Sequence, residues 1–269
     1  MVEVKRRVPD AQGKLVFAGI VAYLTVLLLI PLGALVLSVV RDFGDVVRQL
    51  TSGEALHAMG LTLLVAAACI TLNGVFGISG ALVIVRQRFV GRRFLDALVD
   101  LPLALSPVMT GLAFLILFGR SGALRPVVDV LGLPVAFAWP GVLLATLFVT
   151  LPFTLREVAL VLEEVGDHEE QAAATLGASA WQTFRRITLP NIYSGLTIGT
   201  TLTLARALGE FGAVLVVGGG IANKTETATT FIHTAVEERQ EPAAFGMALL
   251  LAAVAIGLLL FLQHRRAKV

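Results

Sequence analysis

Two ionisable residues within an apolar stretch are the first candidates for chemistry in this sequence. Arg206 and Glu210 are four residues apart, so their side chains can pair on one face of a helix. If the stretch crosses a membrane, such residues are costly and usually face a pore or the protein interior. The pair predicts one of two roles. Either Arg206 lends positive potential to an anion path while Glu210 orients it, or the two form a structural ion pair that fixes a helix or joins subunits.

Ser106 and Thr110 form a second polar pair, in another apolar stretch. They are also four residues apart, and Pro102 and Pro107 interrupt the predicted helix around them. Backbone groups freed by such a break, together with hydroxyls, can bind a desolvated anion. The alternative is that both hydroxyls bond to their own helix. Under the first interpretation, both polar pairs belong to a translocation path or its gate.

Motifs for hydrolysis and metal chemistry are absent from the sequence. It has no GxxxxGK phosphate loop, so the chain itself is not predicted to be an ATPase. It also lacks HExxH and CxxC, and its four histidines are scattered. We therefore expect no enzyme, no catalytic residue, no metal site and no cofactor bound by this chain.

Composition places these residues in a membrane. Hydrophobic residues make up 57% of the 269 residues and charged residues only 15%, against roughly 25% charged in soluble domains. About 20 apolar residues are enough to cross a bilayer as a helix. Six stretches are long enough, which predicts an all-α integral membrane protein with six transmembrane helices: 15–40, 55–85, 101–119, 130–155, 187–205 with an extension to about residue 223, and 243–263.

The distribution of Lys and Arg predicts the orientation of these spans. Cytoplasmic loops carry an excess of both residues. One face would hold 14 of the 21, including Lys5, Arg6 and Arg7, and the other face six, with Arg206 inside a span. Both termini, and the loop between the fourth and fifth spans, are therefore expected to be cytoplasmic.

The loop between the fourth and fifth spans is polar, yet its residues predict two short helices. Asp167 with Glu170, and Ser179 with Gln182, have the spacing of capping boxes at helix starts. Gly177 between them suits the left-handed conformation that ends a helix. A structured cytoplasmic excursion of this kind favours a docking surface for a soluble partner. The alternative is an amphipathic segment that rests in the lipid headgroups.

The second short helix has an apolar face. Trp181, Phe184 and Ile187 recur at every third position. This periodicity predicts that Trp181 and Phe184 tie the two short helices to the membrane helices. The start of the loop, at 163–170, is acidic, which indicates a basic surface on the partner rather than anionic lipid.

Positions across this loop resemble the EAA motif of binding-protein-dependent ABC importer permeases: Glu-Ala-Ala, three residues, Gly, nine residues, Ile, one residue, Leu-Pro. The matching residues are Gln171, Ala172, Ala173, Gly177, Ile187, Leu189 and Pro190. Gln171 stands where the motif has Glu, with Glu170 just before it. The resemblance implies coupling helices, over about 167–188, that sit in a groove of a separate ATP-binding subunit and transmit its closure to the spans. The residues implied in this coupling are Glu170, Gln171, Ala172, Ala173, Gly177, Ala178 and Trp181.

Three further segments resemble oxyanion permeases. ARALGEFGAV at 205–214 is similar to a segment shared by sulfate and molybdate permeases. DLPLALSPVMTGL at 100–112 and KTETAT at 224–229 are more similar to the sulfate/thiosulfate permease family of the CysW type. The resemblance implies a sulfate or thiosulfate importer, with molybdate or another oxyanion as the alternative. A secondary transporter or channel working alone, and last a membrane enzyme, are the alternatives from other classes.

The same resemblance implies a fold, a domain organisation and partners. The fold is the type I ABC importer (MetI-like) permease fold, in a multi-pass protein of the cell inner membrane. Residues 1–54 would hold the cytoplasmic amino terminus and first span, 55–264 the permease domain, and 265–269 a cytoplasmic tail. The partners would be a paralogous permease subunit in a heterodimer, two ATP-binding subunits that hold ATP and Mg, and an extracytoplasmic sulfate-binding protein received at 120–133 and 218–242. No nucleic acid is expected.

Overall fold

The computed structural model describes residues 11–266, and this part of the chain is helical, without a strand. In chain order the helices are α1 (Ala11–Leu24), α2 (Ile30–Arg41), α3 (Phe43–Leu50), α4 (Gly53–Arg86), α5 (Arg92–Ala104), α6 (Pro107–Phe118), α7 (Arg125–Leu131), α8 (Trp139–Val165), α9 (His168–Thr175), α10 (Ala180–Thr183), α11 (Leu189–Asn191), α12 (Tyr193–Leu208), α13 (Gly212–Gly218), α14 (Ala228–Glu237) and α15 (Glu241–Arg266). Single π-helical turns, Thr25–Leu29 and Phe184–Thr188, join α1 to α2 and α10 to α11. The all-α prediction is confirmed. Lys5, Arg6, Arg7 and the predicted tail beyond residue 266 lie outside the described residues.

Four described helical segments are long and apolar enough to cross a bilayer without a break: Gly13–Arg41, Gly53–Arg86, Trp139–Val165 and Glu241–Leu262. Two bent pairs, α5 with α6 and α12 with α13, bring the number to six if each pair is one span. The bends are 112° and 55°. Each predicted span corresponds to one of these six units, although the third starts earlier and the fourth later than hydropathy indicates.

Proline chemistry sets the sharper bend. Pro107 disfavours helical backbone at the residue before it, and Ser106 is accordingly extended, with ψ of 146°. The α5 helix therefore ends at Ala104, and Pro107 occupies the first turn of α6. Pro102, in contrast, lies inside α5 without ending it. Only the second of the two prolines predicted to interrupt this helix does so.

The centre of the molecule is a close packing of α4, α8 and α12, in which small residues let the backbones approach. A Cβ atom at Gly199 would lie 2.6 Å from the Thr154 Cα, and one at Gly195 would lie 2.5 Å from the Glu157 carbonyl oxygen. Glycine is therefore required at both positions, as is common between membrane helices. Polar bonds cross the same packing, because the Thr154 and Thr203 hydroxyls lie 3.0 Å apart.

The first span stands apart from this core. Within Gly13–Arg41, none of the most apolar stretch is buried inside the chain. Only the end of α2 and the short α3 pack against α15, where Val39 and Val46 are buried. The apolar surface of the first span is thus left for contacts outside this chain.

Candidate coupling surface and charged sites in the spans

The first short helix of the predicted coupling loop is present, but it is held differently from the prediction. It begins at His168, as expected, yet the Asp167 side chain caps no backbone group. The Glu170 carboxylate is engaged elsewhere: Oε2 lies 3.0 Å from the Arg86 Nε, and Oε1 accepts a hydrogen bond of 2.8 Å from the Thr188 hydroxyl. The predicted capping box of Asp167 and Glu170 is therefore wrong, because a guanidinium is a stronger partner than a backbone amide.

Gly177 forms the turn between α9 and α10, as the sequence predicts. Its φ of +82° is left-handed, a conformation that glycine adopts without steric cost. The Ala178 N–H donates to the Ala173 carbonyl and the Gly177 N–H to the Ala174 carbonyl, both at 3.0 Å. These two hydrogen bonds together form a Schellman motif, which satisfies the last carbonyls of α9 and fixes the direction of the turn.

The second capping box is confirmed. The Ser179 hydroxyl accepts a hydrogen bond from the Gln182 backbone N–H at 3.3 Å, and the Gln182 side-chain oxygen Oε1 accepts one from the Ser179 backbone N–H at 2.8 Å. The Trp181 ring stacks on Phe184 with centroids 5.6 Å apart. However, Trp181 is 67% exposed, so the prediction that it ties the short helices to the membrane helices is wrong. Helical periodicity identified the apolar face but not what covers it.

The coupling knob, defined as α9, the turn at Gly177 and α10, presents both small and apolar residues to its surroundings. Leu176, which the sequence reasoning missed, is 89% exposed beside the turn. A large apolar residue directly before a turn glycine was the available signal. Among the seven residues implied in coupling, the exposed ones are Gln171, Ala172, Gly177 and Trp181, and the half-buried ones are Glu170, Ala173 and Ala178.

The end of the molecule that carries the knob, called here the coupling end, holds a second charge cluster that sequence reasoning missed. The Arg156 guanidinium on α8 contacts the carboxylates of Asp96 and Asp100 on α5 at 2.6 to 2.8 Å, and it also donates to the Asp96 carbonyl. Asp96 and Asp100 are four residues apart, on one face of α5, which was a readable signal. Their partner lies 56 to 60 positions further along the chain, beyond any local pattern.

Arg206 and Glu210 pair, but not on one continuous helix. The α12 helix ends at Leu208, so the ion pair crosses the break before α13. The Glu210 side chain is 1% exposed and that of Arg206 31%. The second Glu210 oxygen accepts from the Ala213 N–H at 2.9 Å and so caps the start of α13. Glu210 thus has a structural role at the break in addition to orienting Arg206.

Ser106 and Thr110 do not act alike. The Ser106 hydroxyl accepts from the Met109 N–H at 3.3 Å and caps α6. Thr110 is 1% exposed, and its hydroxyl has no hydrogen-bond partner among the described residues. A Cβ atom at Gly212 would lie 3.2 Å from the Pro107 Cβ. The two breaks, one before α6 and one before α13, therefore lie side by side, which brings the two predicted polar pairs into one region.

Among the described residues, no group of three or more His, Cys, Asp or Glu side chains could hold a metal ion. The buried polar residues in and between the described spanning helices are mainly threonines, with Asn73 and Glu210. What the arrangement offers is a rigid external knob and a region of broken helices with an arginine.

One family model covers the part of the chain that holds both the broken spans and the knob. Residues 73–266 match the family model described as binding-protein-dependent transport system inner membrane component. The chain belongs to that family.

Individual relatives agree with this assignment. The chain is 44% identical to the sulfate transport system permease protein CysW of Synechococcus elongatus, over 78% of this chain and 73% of the relative. It is 43% identical to CysW of Escherichia coli K12, over 81% and 75%, and 38% identical to CysT of the same bacterium, over 89% and 86%. The resemblance drawn from the sequence is confirmed.

A solved structure supports the fold. A chain of a bacterial ABC transporter involved in the import of the acidic polysaccharide alginate superposes with a TM-score of 0.79, covering 96% of each chain at 18% identity. At this identity the likeness concerns the fold alone. It confirms the predicted importer-type permease architecture.

Proposed function

We propose that this chain is a membrane-spanning permease subunit of an ATP-driven sulfate importer, with thiosulfate as a second substrate. The observation that carries the proposal is the similarity to sulfate permeases of both the CysW and CysT types along most of the chain. Because CysW and CysT differ from each other, the similarity also favours a heterodimer with a paralogous permease. Two ATP-binding subunits would hold ATP and Mg, so this chain would itself catalyse no reaction.

The orientation follows from the charge distribution. Both termini and the coupling knob would lie on the cytoplasmic side of the inner membrane, with the permease domain over 55–264. The external segments 120–133 and 218–242 would then receive the extracytoplasmic binding protein. A structure similar to this chain is that of an alginate transporter in complex with its substrate-bound periplasmic protein, a precedent for such an assembly.

The knob would dock on the ATP-binding subunit through its exposed residues. Leu176 and Trp181 are the large apolar side chains at its surface, and buried aromatic anchors dominate the energy of such interfaces. The small Ala172 allows close approach, and Gly177 fixes the turn between the two helices. Gln171, where the motif has Glu, is exposed but uncharged, so recognition at this position would be by shape and hydrogen bonding.

The translocation path would pass the two breaks. Arg206 is the cation in this region, and Glu210 fixes its position; Ser106 and Thr110 lie on the neighbouring half-helix. A role toward an anion is favoured by the partial exposure of the Arg206 side chain and by the Thr110 hydroxyl, which has no hydrogen-bond partner within residues 11–266. The alternative, a structural pair, is favoured by the cap that Glu210 gives to α13. Arg206→Gln separates them: lost uptake in an assembled complex supports the path, and unchanged uptake contradicts it.

Uptake of labelled sulfate by the complex in proteoliposomes tests the main proposal. We expect ATP-dependent uptake that unlabelled sulfate and thiosulfate reduce. Transport of molybdate alone would contradict the substrate assignment. Uptake that needs no ATP-binding subunit would instead favour a secondary transporter.

The docking surface has its own test, for which the chain offers a matched control. Trp181→Ala is expected to weaken co-purification of the ATP-binding subunit by roughly tenfold or more, as for a buried aromatic anchor. The other tryptophan, Trp139, is 50% exposed at the opposite end of the molecule, and Trp139→Ala should have no effect on this association. Equal retention of the ATP-binding subunit by both variants would contradict the proposed surface.

A further inference from the structure

Arg86 lies at a junction of three helices, α4, α8 and α9. It is the last residue of α4. Its guanidinium donates to the Leu162 carbonyl at 3.1 Å and to the Gly166 carbonyl at 2.6 Å, which lie at the end of α8. Its Nε contacts the Glu170 carboxylate on α9 at 3.0 Å. A cation at the carboxyl end of a helix satisfies free carbonyls and interacts favourably with the helix dipole.

Glu170 extends the junction to the second limb of the coupling loop. Its other oxygen accepts a hydrogen bond from the hydroxyl of Thr188, a residue that is 4% exposed in the π-helical turn after α10. The Glu170 side chain is 22% exposed and that of Arg86 19%. The carboxylate therefore points into the permease, so it is not free to pair with a charge on the ATP-binding subunit.

The first helix of the knob, α9, has few other ties to the spans. One of them is a hydrogen bond of 2.8 Å from the Asn191 side-chain amide on α11 to the Glu169 carboxylate. The α9 helix packs mainly against α10 and the π-helical turn that follows. It is joined to α8 by only Gly166, with a φ of +71°, and Asp167. A two-residue link of this kind cannot by itself fix the angle between two helices. The Arg86 bonds supply the missing constraint.

The two helices held by Arg86 are packed tightly against each other. Along their ends, Ala81, Ile84, Val158 and Leu162 are buried in one apolar cluster. Well-packed interiors transmit displacement because they contain little free volume. A force applied to α9 can therefore reach the middle of the membrane through α4 and α8, provided that α9 cannot swivel.

We propose that Arg86 is a positioning residue for coupling: with Glu170 and Thr188 it locks the knob to α4 and α8, so that displacement of the knob moves both spans. The inference rests on the proposed function. It assigns Glu170 to the inside of the permease and leaves contact with the ATP-binding subunit to the exposed residues of the knob. Loss of the lock should uncouple ATP hydrolysis from transport without preventing assembly.

The test compares Arg86→Gln with Arg88→Gln in proteoliposomes that contain the complete complex. Arg88 is exposed in the loop after α4, so the control removes the same charge two residues away. For Arg86→Gln we expect sulfate carried per ATP hydrolysed to fall by roughly tenfold, within the usual range of coupling between sites, with the ATP-binding subunit retained. Arg88→Gln should keep the wild-type ratio. A wild-type ratio in Arg86→Gln would overturn the proposal.

Two further variants test the mechanism and guard against a folding failure. Glu170→Gln removes the negative charge but can still form hydrogen bonds to Arg86 and Thr188. Arg86→Lys keeps the positive charge but lacks the several donors of the guanidinium. If the residues act as one lock, Arg86→Gln with Glu170→Gln should be no worse than Arg86→Gln alone. If the double variant instead lost the sum of what the two single variants lose in sulfate carried per ATP, the proposed lock would be overturned. If Arg86→Gln does not assemble, Glu170→Gln decides: it should lower transport per ATP partially, and an unchanged ratio would contradict the lock.

A spectroscopic measurement gives a readout that does not depend on the substrate. Spin labels on Gln171→Cys and Arg88→Cys, in a Cys69→Ser background, report the distance between the knob and the end of α4. We expect a narrow distribution in the otherwise unchanged protein and a broader one with Arg86→Gln. If wild-type complex carries no sulfate yet this broadening occurs, the proposed substrate fails while the lock stands. If the wild-type complex takes up sulfate but the distance distribution stays narrow in Arg86→Gln, the proposed lock is wrong while the proposed substrate stands.

Discussion

The ion pairs at the two ends of the molecule are built differently. At the coupling end they join elements far apart in the sequence: Arg86–Glu170, Arg156–Asp96 and Arg156–Asp100. At the opposite end, the ion pairs of the described residues span three or four positions: Arg48–Asp45, Arg125–Asp129, Arg206–Glu210 and, when the imidazole is protonated, His233–Glu237. A pair between distant elements holds separate helices together, whereas a local pair connects only neighbouring stretches of chain, such as the two sides of the break between α12 and α13. The coupling end is therefore cross-linked by its ion pairs, and the opposite end is not.

Removing a pair between helices should have the largest effect. Arg156→Gln leaves Asp96 and Asp100 without their cation. We expect the free energy of unfolding to fall by roughly 1.5–3 kcal/mol, the usual contribution of hydrogen bonds to charged groups. The half-exposed carboxylates favour the lower end of this range. Thermal denaturation in detergent measures it. The control Arg125→Gln breaks a local pair and should cost less than about 1 kcal/mol; equal losses would erase the distinction between the two ends.

Glu210 sharpens the comparison at the opposite end. Glu210→Gln keeps an acceptor for the Ala213 N–H but removes the charge beside Arg206. Glu210→Ala removes both. We expect the alanine variant to be less stable than the glutamine variant by about 0.5–2 kcal/mol, the usual worth of a helix cap, again measured as thermal denaturation. Equal stability of the two variants would mean that the cap contributes nothing and that the ion pair alone matters.

The smallest expected effect concerns Glu226, which is 3% exposed in the loop before α14. Burial raises the pKa of its carboxyl; the Thr234 hydroxyl opposes this shift, while Glu54 and Glu238 reinforce it. The folded chain therefore binds the proton on the Glu226 carboxyl more tightly than the unfolded chain does. The protonated carboxyl makes its full contribution to stability at acid pH. That contribution is lost as the pH rises from the ordinary pKa of a glutamate through the raised value in the folded chain.

Glu226→Gln should therefore raise the midpoint temperature of thermal denaturation at neutral pH, by a few degrees at most. The fall of this temperature between acid and neutral pH should be smaller in the variant than in the wild type. Glu163→Gln, which alters an exposed carboxylate at the coupling end, serves as the control and should change neither. A steeper decline in Glu226→Gln than in the wild type would reverse the sign argued above.

Local signals in the sequence predicted much of the fold. Hydropathy identified the six units, Gly177 identified a turn, and Ser179 with Gln182 identified a helix start, since each depends on neighbouring residues. Pairings across the chain were not accessible in this way. Glu170 fits a capping rule with Asp167 but bonds instead to Arg86, 84 residues earlier.

The exposure of the knob was also beyond local reasoning. Trp181 belongs to an apolar face by its periodicity, and in most proteins such a face is buried. That Trp181 and Leu176 remain exposed in this chain depends on the geometry of the turn at Gly177, and we propose that a partner covers them. For the same reason the sequence alone could propose Arg206 and Glu210 as a pair but could not place a helix break between them.

The length of α4 has a mechanical consequence. Its 34 residues extend over about 51 Å at 1.5 Å per residue, roughly 20 Å more than the hydrocarbon core of a bilayer. The helix must therefore tilt or project into the aqueous layers, and Arg86 at its tip lies outside the hydrocarbon. Toward this tip, a Cβ atom at Gly77 would lie 2.9 Å from the Thr154 side chain on α8. Under the proposed lock, the ends of α4 and α8 would move together in the aqueous layer, so the bilayer need not part.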